Sequence, residues 1–346
     1  MNVDLINIFG ILIIYQSVIF VLSLFVNKKS KPLFAKVLIS ICLLFIFHFC
    51  YMLFEKHNPN NQIFLGPFFG LIYGPIYYLY TKSLILETVS FTKFKIHFAP
   101  ALFVLFFLII FKNQPFNQIN FIGLVVTIHY IVYLGISLRT LFKYRNQLKN
   151  TKSSFYNISL FWLETIIYIQ LAIIVLMLLE SYFQYYFITD NLILIIYSLA
   201  LILINCFYYL GLKQVNLFKG FKEEKEIIPK GYLISKELFN EYNDKLISYV
   251  ENEKPYLEFD ISLQDLSDKL SISPRNLSHI INKKHERNFY DFINYYRLEL
   301  VKQQLLESNN PIKEIMYDCG FSNKATFNSI FKKHIGLTPT QFRKKT

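Results

Sequence analysis

The alternation of apolar and polar positions changes character once along this chain, near residue 213. Before that point, apolar stretches follow one another over 5–26, 33–54, 63–86, 97–112, 119–140, 158–182 and 191–212. Crossing a bilayer as a helix takes ~20 residues, and the fourth stretch is the shortest. The third holds Gly66-Pro67, Gly70 and Gly74-Pro75, which predict a kink or a close helix approach. Only Asp4 is charged ahead of the first stretch and no small-residue cleavage site follows it, so it reads as a retained helix, not a signal peptide. Beyond residue 213 the apolar positions take the period of amphipathic helices. The charged run Lys219 to Glu226 reads as a juxtamembrane linker within 214–255. From Ser235 a helix is predicted with Phe239, Tyr242, Leu246 and Tyr249 on one face, ended by Lys254-Pro255. Two uses stay open for it: packing on the C-terminal helices, or pairing with a second copy.

Two helix pairs come next. In the first, Leu263, Leu266 and Leu270 share a face, Ser271-Ile272-Ser273 makes the turn, and Pro274 opens a helix where its missing N–H does no harm. There Leu277, Ile280 and Ile281 face in, while Arg275, Asn276, Ser278 and His279 face out. A connecting helix of about Asn288 to Glu307 carries Phe289, Phe292, Ile293, Tyr296, Leu300 and Leu305. In the second pair Ile312, Ile315 and Met316 share a face and Gly320 supplies the tight turn. Ser322 or Asn323 then caps a helix in which Phe327, Ile330 and Phe331 point inward. Lys324, Ala325, Asn328, Ser329 and Lys332 point outward, Gly336 ends the helix, and Pro339 lies just beyond. A helix, a tight turn and a helix with small polar and basic residues outside is the layout of a helix-turn-helix DNA reader.

The stretch Pro311 to Arg343 resembles the second helix-turn-helix of the AraC family of bacterial transcription regulators. Ile312, Ile315, Gly320, Phe321, Phe327, Phe331, Lys332, Gly336, Thr338, Pro339 and Arg343 carry the resemblance. Met316 stands where the family usually has alanine. The resemblance covers about 256–346 and implies two such units on a connecting helix, with double-stranded DNA as partner. The first unit matches less sharply, since Ser271 takes the place of the turn glycine. By position and major-groove chemistry, Arg275, Asn276, Ser278 and His279 are the expected base readers of the first unit. Lys324, Ala325, Asn328 and Ser329 are those of the second. Lys283, Lys284, Thr326, Lys332 and Lys333 are expected at phosphates. Lys344 and Lys345 are divided between phosphate contact and plain solvation. A second, weaker resemblance rests on the Gly-Pro pairs, the aromatic residues after them and His97-Phe98-Ala99-Pro100. These look like the membrane part of Bacteroidota-type regulators that end in an AraC-type domain.

Composition sharpens the upstream half. The chain is 53% hydrophobic and 18% aromatic but only 17% charged, an excess that the C-terminal helices cannot account for. The net charge of +12 falls in alternate loops: Lys28, Lys29, Lys31 and Lys36, then Lys82, Lys93 and Lys95, then Arg139, Lys143, Arg145, Lys149 and Lys152. The intervening loops hold only Lys56 and Lys112. Basic loops stay inside, so the N-terminus is expected outside and the C-terminus in the cytoplasm, across a multi-pass bacterial cytoplasmic membrane domain. Polar groups within spans are costly and usually face a bundle interior. His129, Glu164 and Gln170 are the candidate lining of a pocket for an unknown small-molecule or membrane signal. Hydrogen bonding between helices is the other reading, and the preferred one for Gln16, His48 and Gln170.

Cys42, Cys50, Cys206 and Cys319 lack metal-ligand spacing. No phosphate-binding glycine loop with lysine, no His-Glu-x-x-His and no Gly-x-Ser-x-Gly occurs, so no enzyme, cofactor or metal is expected. The expected fold is all-α: a seven-helix transmembrane bundle over 1–213, a linker over 214–255 and a double helix-turn-helix over 256–346. The expected function is a membrane-embedded, one-component transcription regulator. Its alternative is a transporter or membrane enzyme whose tail serves protein contacts only. The signal, the operator, the sign of regulation and the oligomeric state, a homodimer included, stay open.

Overall fold

The structure, a computed structural model, describes residues 5–26, 32–58, 65–86, 89, 94–110, 119–155, 158–183, 190–217 and 234–345, and all of their regular structure is helical. The chain divides into two compact units, Met1–Phe142 with Leu160–Lys225, and Lys143–Ser159 with Glu226–Thr346.

In the first unit helices occur at all seven predicted positions. They are α1 (Leu5–Val26), α2 (Pro32–His57), α3 (Gly66–Ile85), α4 (Ala99–Ile110, after a 3-10 turn at Lys95–Phe98), α5 (Ile119–Thr151), α6 (Phe161–Phe183) and α7 (Asp190–Leu217). Among the described residues five of them, α1, α2, α5, α6 and α7, are long and apolar enough to cross a membrane by length and composition. The described part of α4 has 12 residues, fewer than the ~20 that cross a bilayer. α3 has 20 residues, but Tyr73, Tyr77, Tyr78, Tyr80 and Lys82 make it less apolar. Instead α3 is deeply enclosed, with Phe69, Tyr80 and Leu84 at most 1% exposed. A Cβ at Gly74 would stand 2.9 Å from Tyr133, so this glycine marks the close helix approach that the sequence predicts.

Polar side chains tie these helices together. Gln16 and Asn205 exchange amide hydrogen bonds of 2.6 and 3.1 Å between α1 and α7. His48 on α2 bonds the Tyr73 hydroxyl on α3 at 2.6 Å, and the Tyr80 hydroxyl donates to the Phe207 carbonyl at 2.7 Å. Gln16 and His48 therefore serve helix packing. The basic residues Lys28, Lys29, Lys31, Lys93 and Lys112, and the charged run 219–226, lie outside the described residues.

The second unit contains α8 (Lys236–Glu253), α9 (Leu263–Leu270), α10 (Pro274–Lys284), α11 (Phe289–Glu307), α12 (Ile312–Asp318), α13 (Lys324–Ile335) and α14 (Pro339–Lys345). It has two apolar cores. Leu266, Leu277, Ile280, Ile281, Phe292 and Ile293 form the first, all 0% exposed. Leu246 and Val250 of α8 are equally buried in it, so this helix packs on the reader. Val301, Leu305, Ile315, Met316, Phe327 and Phe331 form the second, each at most 2% exposed. The connecting helix α11 supplies its N-terminal half to one core and its C-terminal half to the other. Met316 fills the second core, 1% exposed.

Candidate nucleic-acid interface

Each recognition helix starts at a side-chain cap that fixes its first turn. The Ser273 hydroxyl accepts the Asn276 N–H at 3.2 Å at the start of α10, and Pro274 occupies the first helical position. Asn323, rather than Ser322, caps α13: its Oδ1 accepts the Thr326 N–H at 2.9 Å. Upstream, Ser262 and Asp265 form a reciprocal capping box at the start of α9. Burial pushes the Asp265 carboxyl up, but the hydrogen bonds from Ser262 and the charges of Lys152 and Lys269 outweigh it and hold the group below its ordinary range. The turn between α9 and α10 passes through Ser271 at φ +54°, and the turn between α12 and α13 through Gly320 at φ +83°. Serine thus adopts the left-handed conformation that glycine adopts in the second unit.

The expected base readers meet different surroundings. Arg275 lies exposed on the first turn of α10, and Lys324, Ala325 and Ser329 lie exposed on α13. Asn276 and Asn328 are half-buried at the edges of these faces. The Ser278 hydroxyl accepts from Asn282 at 3.2 Å, one turn along its own helix. His279 is half-buried, its ring edge-on to Phe239 of α8 at 5.8 Å, so α8 covers the flank on which it sits. Among the expected phosphate contacts, Lys283 and Lys284 on the last turn of α10 and Lys332 and Lys333 on the last turn of α13 are exposed. Thr326 differs from them. Its hydroxyl is enclosed without a partner and borders a small cavity together with Arg297 and Asn294. That position turns it inward, away from a phosphate-facing surface.

One side chain that sequence reasoning passed over organises the reader. Arg297, in the middle of α11, is 1% exposed. Its Nε donates to the Tyr256 carbonyl at 2.6 Å and an Nη to the Glu258 carbonyl at 2.7 Å, and the guanidinium lies 5.6 Å from the Phe321 ring. Burial pulls its pKa down to about 10, which leaves it protonated at neutral pH. The available signal was its spacing: Arg297 shares the inward helical face with Ile293 and Val301.

Of the candidate pocket residues, His129 lies on α5 and Glu164 and Gln170 on α6. His129 lies 22 residues before Thr151, ~33 Å along α5 at 1.5 Å per residue, while Glu164 lies only ~5 Å past Phe161 on α6. The two therefore sit at different distances from the loop that joins their helices. Glu164 accepts from the Tyr168 hydroxyl at 2.9 Å, one turn along its own helix. Gln170 is 2% exposed with both amide atoms unpartnered, and His129 encloses an unpartnered Nδ1.

Known proteins resemble the C-terminal part of the chain. A family model described as a helix-turn-helix domain matches residues 266–345. The HTH-type transcriptional regulator YtdP of Bacillus subtilis (strain 168) is 26% identical over 107 residues, which are 31% of this chain and 14% of that protein. The HTH-type transcriptional regulator YijO of Escherichia coli (strain K12) is 28% identical over 85 residues, 25% of this chain and 30% of that protein. The chain thus spans less than a third of the length of these relatives. Among solved structures, the C-terminal domain of AraT, a response regulator from Geobacillus stearothermophilus, is 25% identical, with 32% of this chain and 85% of that one covered at a TM-score of 0.28. A Listeria innocua protein of unknown function is 30% identical, with coverages of 29% and 93% and a TM-score of 0.27. The C-terminus of this chain is an AraC-type helix-turn-helix domain, behind a helical N-terminal region with several apolar helices, and its relatives are helix-turn-helix transcriptional regulators.

Proposed function

We propose that the chain is a membrane-embedded, one-component transcription regulator that reads promoter DNA through two helix-turn-helix units. The observation that carries this is the pair of recognition helices, each on its own apolar core, joined through the single helix α11. One copy of the chain offers two helices to successive major grooves, about one turn or ~34 Å apart. Arg275 and Lys324 suit guanine O6 and N7, and Asn276 and Asn328 suit adenine N6 and N7. Ala325 fits a thymine methyl, and Ser329 takes either donor or acceptor. Lys283, Lys284, Lys332 and Lys333 supply phosphate contacts, which add affinity without sequence choice.

The five apolar helices support membrane embedding, and the alternating basic loops support an N-terminus outside and a reader in the cytoplasm. Gln170 is the best-supported sensing residue of the three predicted, because its buried, unpartnered amide would gain most from a polar ligand. Genome-wide DNA crosslinking of the full chain in its own membrane tests the reading. Occupied sites with two short boxes ~10 base pairs apart, centre to centre, are expected. Absence of any enriched site would favour a transporter or membrane enzyme with a tail used for protein contacts.

A further inference from the structure

The second unit contains a piece of chain on which neither reader core draws: Lys143–Ser159, the end of α5 and the turn after it. Several contacts seat it on the reader. Lys152 forms an isolated antiparallel bridge with Ser262, and the Ser153 N–H donates to the Ile261 carbonyl at 3.1 Å. An Nη of Arg297 reaches the Ser153 hydroxyl at 3.5 Å, and Ser153 is as buried as the arginine, 1% exposed. Phe155 packs on Tyr290 with ring centroids 4.8 Å apart. The Tyr144 hydroxyl closes the turn on itself by donating to the Ile158 carbonyl at 2.7 Å. Ser153 and Ser154 also border the small cavity at the start of α13, together with Asn323 and Thr326.

These partners belong to three separate pieces of the reader. Ile261 and Ser262 lead into the first helix-turn-helix, Tyr290 and Arg297 lie on the connecting helix, and Asn323 caps the second recognition helix. One short strap therefore contacts the first two and shares a cavity wall with the third. Its serines stand beside the end of α13 from which a helix-turn-helix reader contacts bases.

We propose that Lys152–Phe155 is an intramolecular clamp on the reader, seated when DNA is absent and displaced when α13 enters a groove. The proposal rests on the DNA-binding function proposed for the same helices. Exclusive occupancy makes the coupling reciprocal: whatever lifts the strap tightens DNA binding, and bound DNA frees the strap. The strap follows directly on α5, one of the five apolar helices, so a signal that moves α5 has a direct route to the clamp.

The test is a reversible lock. Lys152 and Ser262 face each other across the bridge, and the neighbouring ladder bond, from Ser153 to Ile261, marks them as a non-hydrogen-bonded pair. The Cα atoms of such a pair lie ~4.5 Å apart, within disulfide range. The double variant Lys152→Cys, Ser262→Cys is made in the full chain, solubilised in detergent. It is titrated with a duplex of about 40 base pairs, enriched from a random pool by the parent chain. The oxidised lock is expected to bind about tenfold more weakly than the same preparation after reduction, and Phe155→Ala about fivefold more tightly than the parent. Equal or tighter binding by the oxidised form, or unchanged binding by Phe155→Ala, would overturn the clamp and leave the DNA reading standing. Failure of the pair to oxidise would overturn the seated geometry. If neither the parent nor Phe155→Ala enriches any duplex, the DNA reading falls and the clamp falls with it.

Discussion

Gly320→Ala and Gly336→Ala separate backbone conformation from packing, because the two glycines share one and differ in the other. Both sit in the left-handed region, at φ +83° and +81°. An alanine there costs ~1–2 kcal/mol, partly offset by a less flexible unfolded chain, ~0.4–1 kcal/mol. At Gly336 a Cβ meets nothing within 4 Å, so the net cost should be about 1 kcal/mol. At Gly320 the Cβ would stand 2.5 Å from the Tyr256 carbonyl oxygen, 2.9 Å from that of Leu257 and 3.1 Å from Arg297 Nε. The first of these cannot retreat freely, since Arg297 holds it at 2.6 Å. Overpacking adds ~1–3 kcal/mol, and weakening a charged, buried hydrogen bond adds up to ~1.5–3 kcal/mol. Gly320→Ala should therefore cost roughly 3–5 kcal/mol, a large part of the ~5–15 kcal/mol that holds a typical domain. Urea unfolding of the full chain in detergent, read by pulse proteolysis of the C-terminal unit, measures both variants on one scale. If Gly320→Ala falls within about 1 kcal/mol of Gly336→Ala, the hold of Arg297 on the 256–258 backbone is not what fixes this turn.

Ser271→Gly should stabilise the same unit by about 1 kcal/mol in that assay, since it relieves a non-glycine φ of +54° at an exposed position. Arg275→Ala and Lys324→Ala should each cost roughly 1–3 kcal/mol at a selected site and relax base preference at one box only, as read from titrations against single-base variants. Lys332→Ala with Lys333→Ala should instead weaken all sequences alike and flatten the dependence of affinity on salt. His285 is held below its ordinary pKa by burial first and by the charges of Arg287 and Lys284 second. On acidification through ~6.5 the unfolded chain therefore takes up the proton before the folded one. The stability tied to His285 is intact above that pH and declines below it. The unfolding midpoint should fall between about pH 7.5 and about pH 5.5, and His285→Gln should flatten that slope.

Much of this architecture is written in local periodicity. The inward faces of α9, α10, α12 and α13 follow from apolar spacing alone, and each cap comes from one or two neighbouring polar residues. Periodicity says which face is covered but not by what. Leu246 and Tyr242 announce an amphipathic α8 without revealing that the first reader core covers it. His279 belongs by spacing to an outward face, yet α8 flanks that face with Phe239. Thr326 lies one residue after two exposed positions, yet its hydroxyl turns toward the cavity. Arg297 breaks the pattern openly, a cation on an apolar face, and its partners are carbonyls some forty residues upstream that no local rule reaches. In the apolar half, counting hydrophobic runs finds the seven helices of the described residues, of which five are long and apolar enough to cross a bilayer. Run length alone does not register that α3 spends its surface on tyrosines inside the bundle.

The strap also sets an order of events during synthesis. Ser153 and Arg297 are 144 residues apart, and α6 and α7 lie between them. At ~5–20 residues per second, the turn after α5 leaves the ribosome roughly 7–29 s before the arginine that will bury its serine. Through that interval two further apolar helices must be made, and the turn has no reader on which to close. Seating the strap is therefore a late step in the biogenesis of this chain. A molecule truncated before Ile261 lacks every one of the reader partners that cover Lys152, Ser153 and Phe155.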